Sequence, residues 1–257
     1  MKRFLVLATL LTIVALSSAP AFAMTWTNDF VDAADMAANW TAVNGAYLMT
    51  LDAAANAPGS TGGSAASTLS GARIYHNLGT GGVGTGYFSA SWSIYDGSMT
   101  RAFGEMESRA GGAYTGALQQ IFAAGKYNNA GGLGGEVWDA TKYQGRLLYG
   151  ANTGWFNLNA PGAPSRSAGW HKFTVERLAD GSTVNWYVDD ILSKTVTGAN
   201  NWDMNVVALG FGTNSTSNGT VWFDEVSITN VVPEPGSMLA LGTGLIGLFG
   251  MIRRKRA

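Results

Sequence analysis

The 257-residue chain contains no cysteine, which excludes disulfides and thiolate metal sites. Without them the fold must be held together by its hydrophobic core and sheet ladders alone. Histidine is nearly absent too. His76 and His171 lie far apart in sequence with no acidic cluster beside either, so no metal-ligand pattern forms. Nor is a Ser-His-Asp constellation legible in the order of residues. The glycines at 79, 81, 82, 84 and 86 are followed by no Lys-Ser/Thr ending, so they read as a flexible loop and not as a phosphate cradle. Charge is sparse, at 13% of residues, and its distribution is uneven. Lys2, Arg3, Arg253, Arg254, Lys255 and Arg256 take six of the sixteen cations to the two ends. Between the ends, 10 cations face 16 anions. Such a surface excludes nucleic acid as a partner, because that binding rests on cation–phosphate contacts.

The two ends are the most ordered part of the pattern. Lys2 and Arg3 precede an apolar run from Phe4 to Leu16, and Ala21-Phe22-Ala23 supplies a small-residue cleavage site. Residues 1–23 therefore read as a secretory signal peptide, and the mature chain starts at Met24. The opposite end runs Val232-Pro233-Glu234-Pro235, then an apolar stretch from Ser237 to Ile252, then Arg253-Arg254-Lys255-Arg256. As a helix the apolar stretch spans about 24 Å, short of a full hydrocarbon core but able to lodge in a bilayer that thins around it. The four cations hold the C-terminus inside. This order resembles the PEP-CTERM sorting signal, with Pro233, Glu234 and Pro235 as its motif and Arg253, Arg254, Lys255 and Arg256 as its basic tail. The resemblance implies an exosortase-type membrane enzyme as partner. It also implies an exported protein at the cell surface or in the extracellular matrix, held at least transiently by the helix within residues 232–257, which comprise motif, transmembrane helix and basic tail.

Residues 24–231 show little helical periodicity and much alternation of period two. Phe88, Ala90, Trp92 and Ile94 alternate with polar neighbours, as do Phe173 and Val175, and Val184, Trp186 and Val188. Asp96-Gly97, Asp180-Gly181, Asp189-Asp190 and Asn218-Gly219 mark turns between such runs. About a dozen short strands of this type predict an all-β, antiparallel two-sheet sandwich with Trp92, Phe173, Val175, Trp186, Val188, Leu209 and Phe211 between the sheets. The low-complexity stretch Asp52–Gly71 reads as loop.

The segment Gly169-Trp170-His171-Lys172-Phe173-Thr174-Val175-Glu176-Arg177 with Trp186-Tyr187-Val188-Asp189-Asp190 resembles the central hairpin of concanavalin A-like jelly-roll domains. That superfamily includes laminin G-like modules and family 16 glycoside hydrolases. Asp190 stands where the hairpin usually has glycine, which predicts a strained turn. Asp29-Phe30 through Asn39-Trp40 resembles the opening strand of these domains, and Trp222 to Val226 the closing one. The resemblance implies glycan binding or cleavage, and in many such domains one calcium ion, for which Asp29 and Asp224 are the candidate ligands.

The catalytic signature of the family 16 enzymes, Glu-x-Asp-x-x-Glu, is missing, so the expectation is a non-enzyme with no required cofactor. Glu136 and Asp139, three apart, cannot share a strand face. Glu105 and Glu107 do share one, continued by Arg109. This reads as a solvated charged face, with a glycosidase pair of another type as the alternative. The candidate carbohydrate contacts are Tyr143, Arg146, Tyr149, Trp155 and Asn157, in a Gly/Asn-rich segment where aromatic rings can stack on sugars and amides or Arg can read hydroxyls. Extracellular polysaccharide is the expected ligand, and a purely structural surface protein is the remaining alternative.

Overall fold

The computed structural model describes residues 24–43, 49–133, 135–149, 152–211 and 219–230. In chain order the strands are β1 (Thr25–Asn28), β2 (Thr41–Ala42), β3 (Thr50–Asp52), β4 (Ser64–Ser67), β5 (Arg73–Asn77), β6 (Phe88–Asp96), β7 (Ala102–Arg109) and β8 (Leu118–Lys126). They continue with β9 (Gln144–Tyr149), β10 (Asn152–Asn157), β11 (Gly169–Arg177), β12 (Val184–Val188), β13 (Ile191–Val196), β14 (Val206–Gly210) and β15 (Val221–Thr229). One helix, α1 (Ala33–Asn39), follows β1.

Two antiparallel sheets result. One runs β13-β12-β11-β6-β15-β4-β3, with β1 also on β15; the other runs β10-β9-β8-β7-β14-β5-β2. Alternation puts one face of each sheet into a shared core. Trp92, Phe173, Val175, Trp186, Val188, Leu209 and Phe211 all lie there, each at most 2% exposed. Burying indoles requires partners for their N–H groups. Trp92 Nε1 donates to the Ala124 carbonyl at 3.2 Å and Trp186 Nε1 to that of Ala123 at 3.0 Å, both on β8 of the facing sheet. These bonds fix the distance and register between the sheets.

Three segments depart from the sequence reading. Asn39-Trp40 is preceded by α1 and not by a continuing strand. Asp32 caps that helix by accepting from Asp35 N–H at 2.8 Å, and Met36 and Trp40, one turn apart, point inward. Asp52–Gly71 contains β4, whose Ser64-Ala65-Ala66-Ser67 is buried throughout. Small side chains suit a strand sandwiched between β3 and β15, so low complexity there marks tight packing. Third, Gln144–Asn157 is the β9–β10 hairpin. The Asp189-Asp190 turn has φ of 50° and 63°, the left-handed pair that a two-residue hairpin demands and that glycine would adopt more easily.

Strand β15 carries a built-in break. β4 pairs with Val221–Phe223 and β1 with Val226–Thr229, while the register with β6 shifts between Asp224 and Ser227. Glu225 has φ of 50°. The fully buried Asp224 fills the gap. Its Oδ2 accepts from Ala57 N–H at 2.8 Å, and its Oδ1 from Ser60 Oγ at 3.2 Å and Glu225 N–H at 2.7 Å.

Candidate functional site

Arg177, at the end of β11, is completely buried, which is costly for a cation unless every donor is used. Its Nε donates to Gly86 O at 2.6 Å, Nη2 to Gly84 O at 2.9 Å and Nη1 to Trp202 O at 2.5 Å. Desolvation pushes its pKa down to about 10, partly opposed by Asp203. One guanidinium thus ties the glycine-rich loop after β5 to the segment before β14. Gly86 N–H donates to Asn201 Oδ1 at 2.6 Å and closes the same junction.

Between these two loops and the end of β7 opens a cleft of about 530 Å³. Thr80, Gly81 and Thr85 form one wall, Ser108 to Gly112 with Gln119 another, and Asn201, Trp202, Asp203 and Asn205 the third. Asn205 is pinned to β7. Its side chain accepts from Arg109 N–H at 3.0 Å and donates to Arg109 O at 3.0 Å, while its own N–H donates to Glu107 O at 2.9 Å. Trp202 is 41% exposed although its carbonyl is held by Arg177. The cleft therefore offers an indole on a fixed backbone, amides at Asn201 and Gln119 and the carboxylate of Asp203. Its volume suits one or two sugar rings.

From the cleft, Arg109 leads onto the outer face of the second sheet. It pairs with Glu107, which also accepts from Arg73 Nη2 at 2.5 Å; Arg73 pairs with Glu105 as well. Glu105 and Glu107 are 1% and 0% exposed, so this carboxylate row is buried and not solvated as the alternation suggested. Tyr114 covers it, stacked on Tyr75 at 4.3 Å with Arg109 4.4 Å from its ring centre.

The residues singled out in the Gln144–Asn157 segment separate by strand face. Tyr143 and Tyr149 point into the core, 1% and 5% exposed, with Tyr149 Oη donating to Thr197 O at 3.0 Å. Burial removes both from any stacking surface. Trp155 lies on the outer face in a satellite cluster with Phe103, Ile121 and Ala123, its ring stacked on Tyr127 at 3.8 Å. Arg146 sits 5.7 Å from that ring centre, and desolvation lowers its pKa. Asn157 is 3% exposed and braces the preceding loop, donating to Val137 O at 2.8 Å and accepting from Asp139 N–H at 3.1 Å. Glu136 bonds Lys194 and Asn157 N–H, and Asp139 accepts from Thr141 Oγ1 at 2.7 Å.

Asp224 is a hydrogen-bond hub. Three protein donors occupy its two oxygens, and among the described residues no group of three or more His, Cys, Asp or Glu side chains converges. Pro233, Glu234, Pro235, Arg253, Arg254, Lys255 and Arg256 lie outside the described residues. Among the described residues no helix is long and apolar enough to cross a membrane.

Residues 231–255 match the family described as the PEP-CTERM protein-sorting motif. The tail carries an exosortase-type sorting motif. A PEP-CTERM chain is an exported one targeted to the cell surface, in agreement with the reading of the C-terminal end. No curated protein matches the sequence. Among solved structures, the chain is similar to an apo Crh5 transglycosylase at 15% identity and a TM-score of 0.49, over 81% of this chain and 85% of that one. It is similar to a protein of unknown function from Shewanella oneidensis MR-1 at 10% identity and a TM-score of 0.47, over 82% and 90% of the two chains. It is also similar to the receptor binding domain of botulinum neurotoxin D at 12% identity and a TM-score of 0.43, over 87% of this chain but 48% of that one.

Sequence reasoning missed Trp202. Its signal was available: Asn200-Asn201-Trp202-Asp203 sets an aromatic among amides and an acid, outside any alternating run.

Proposed function

We propose that this is a PEP-CTERM-sorted surface protein whose sandwich binds polysaccharide without cleaving it, at the cleft built around Trp202. The observation that carries this reading is the part-exposed indole on a backbone clamped by Arg177, with amide and carboxylate groups beside it in the cleft. Sugar rings stack on such a face while the polar groups read hydroxyls. An exosortase-type membrane enzyme is the sorting partner, and the apolar C-terminal stretch holds the protein in the bilayer until it acts.

A glycan array probed with the purified protein, run beside an assay for new reducing ends, tests the proposal. One stacked ring contributes about 1–2 kcal/mol, so oligosaccharide affinity should fall between micromolar and millimolar. Trp202→Ala should abolish retention on the bound glycan while leaving the unfolding midpoint in place. New reducing ends would establish a hydrolase instead. Absence of any glycan bound by the intact protein would favour a purely structural surface role.

A further inference from the structure

At the rim of the sandwich, away from the cleft, three side chains from three segments form a chain that the sequence order conceals. Ser167 Oγ, in the segment before β11, lies 3.1 Å from His171 Nε2. His171 Nδ1 lies 2.8 Å from Asp189 Oδ2 in the β12–β13 turn. Asp189 is itself fixed, because its Oδ1 accepts from Lys172 N–H at 3.0 Å and its own N–H donates to Lys172 O at 2.8 Å. The imidazole packs on the buried Tyr143 ring, 5.1 Å between centres, and its side chain is only 11% exposed. Ser167, at the far end of the chain of bonds, is exposed.

We infer that Ser167, His171 and Asp189 form a nucleophilic site for carboxylic esters. Asp189 holds the proton on Nδ1, which leaves the Nε2 lone pair to the Ser167 hydroxyl. Oγ attacks the ester carbonyl carbon and its proton passes to Nε2. The C–O bond then breaks, and the leaving alcohol takes that proton. Water, deprotonated by the same nitrogen, hydrolyses the acyl-Ser167 ester and restores the hydroxyl. The Ser167 carbonyl, 3.0 Å from Nε2, accepts from the ring once Nε2 is protonated and so stabilises the imidazolium formed on the way. An exposed serine on a rim suits an acyl group carried by a bulky polymer, such as an O-acylated glycan, better than a small molecule that needs enclosure.

The test is fluorophosphonate labelling of the full chain purified in detergent, with peptide mass spectrometry to locate the adduct and p-nitrophenyl acetate hydrolysis as the rate readout. Labelling at Ser167, lost in Ser167→Ala, is the expected result. His171→Ala should slow both reactions by about 100-fold or more, the usual contribution of a general base. Asp189→Asn, a change in a positioning residue, should slow them while the unfolding midpoint stays within the range of Ser167→Ala. A Ser167 that takes no label, or takes it equally well in His171→Ala, would overturn the inference and leave the three residues as a clamp on the hairpin turn.

Discussion

Gly104 on β7 lies face to face with the indole of Trp92 on β6, so close that a Cβ on Gly104 would sit 2.6 Å from Trp92 Nε1. The glycine lets the two sheets approach where the larger ring must be housed. Gly104→Ala should therefore destabilise the domain by about 1–3 kcal/mol or more, since the indole is walled in and its N–H is committed to Ala124 O. Denaturant unfolding measures it, and a change below ~0.5 kcal/mol would mean that the sheets can part at no cost.

Arg177 is the second structural test. Arg177→Leu removes the partner of three loop carbonyls at once, those of Gly84, Gly86 and Trp202. The expected loss is at least about 3 kcal/mol, because each orphaned buried acceptor is costly. Glycan retention should weaken along with it, whereas Trp202→Ala should affect retention alone. Stability unchanged in Arg177→Leu would show that the cleft does not depend on this clamp.

Asp224 predicts a pH dependence. Burial raises its pKa from the ordinary 3.8 to about 6, against the opposing hydrogen bonds from Ala57, Glu225 and Ser60. The folded state then holds a proton between about pH 4 and 6 that the unfolded chain releases. The sign is that this group's contribution is most favourable below pH 4 and is lost as pH rises through 6. Asp224→Asn is destabilised throughout, since its amide N–H₂ would meet protein donors, but it has no titration in that window. Melting curves of the two proteins should diverge further as pH is lowered from 7 to 4. Parallel curves would show that Asp224 stays ionised.

For the tail, replacement of Glu234 by Gln or deletion of Arg253 to Arg256 should change retention or maturation in a host that has exosortase. Mass spectrometry of the mature protein reads the outcome directly. A mature protein that keeps residues 236–257 would make the segment an anchor and not a processing signal.

Much of the fold was legible because alternation is a local signal: Phe173, Val175, Trp186 and Val188 declare their face within their own strands. β4 was hidden because Ala and Ser alternate with nothing, and their burial follows from packing between β3 and β15, the latter far away in sequence. α1 was hidden by its length, seven residues giving only one inward pair, Met36 and Trp40. The site was harder still. Aromatic content drew attention to Gln144–Asn157, but the face on which each ring falls depends on the hairpin register, which puts Tyr149 in the core and Trp155 outside. The Ser167-His171-Asp189 chain needed the β11–β12 pairing before its three members could meet.

The position of β14 and β15 has a consequence for biogenesis. These two strands, made last, occupy the interior of their sheets, and Asn230 N–H closes onto Met24 O just before β1. Until Val206–Thr229 has been synthesised, β6 and β7 lack central neighbours and no closed core exists. Nearly the whole domain must therefore be synthesised before its central long-range pairings can be made. Closure becomes possible only once the chain has been made through Thr229, immediately ahead of the sorting motif that starts at residue 231.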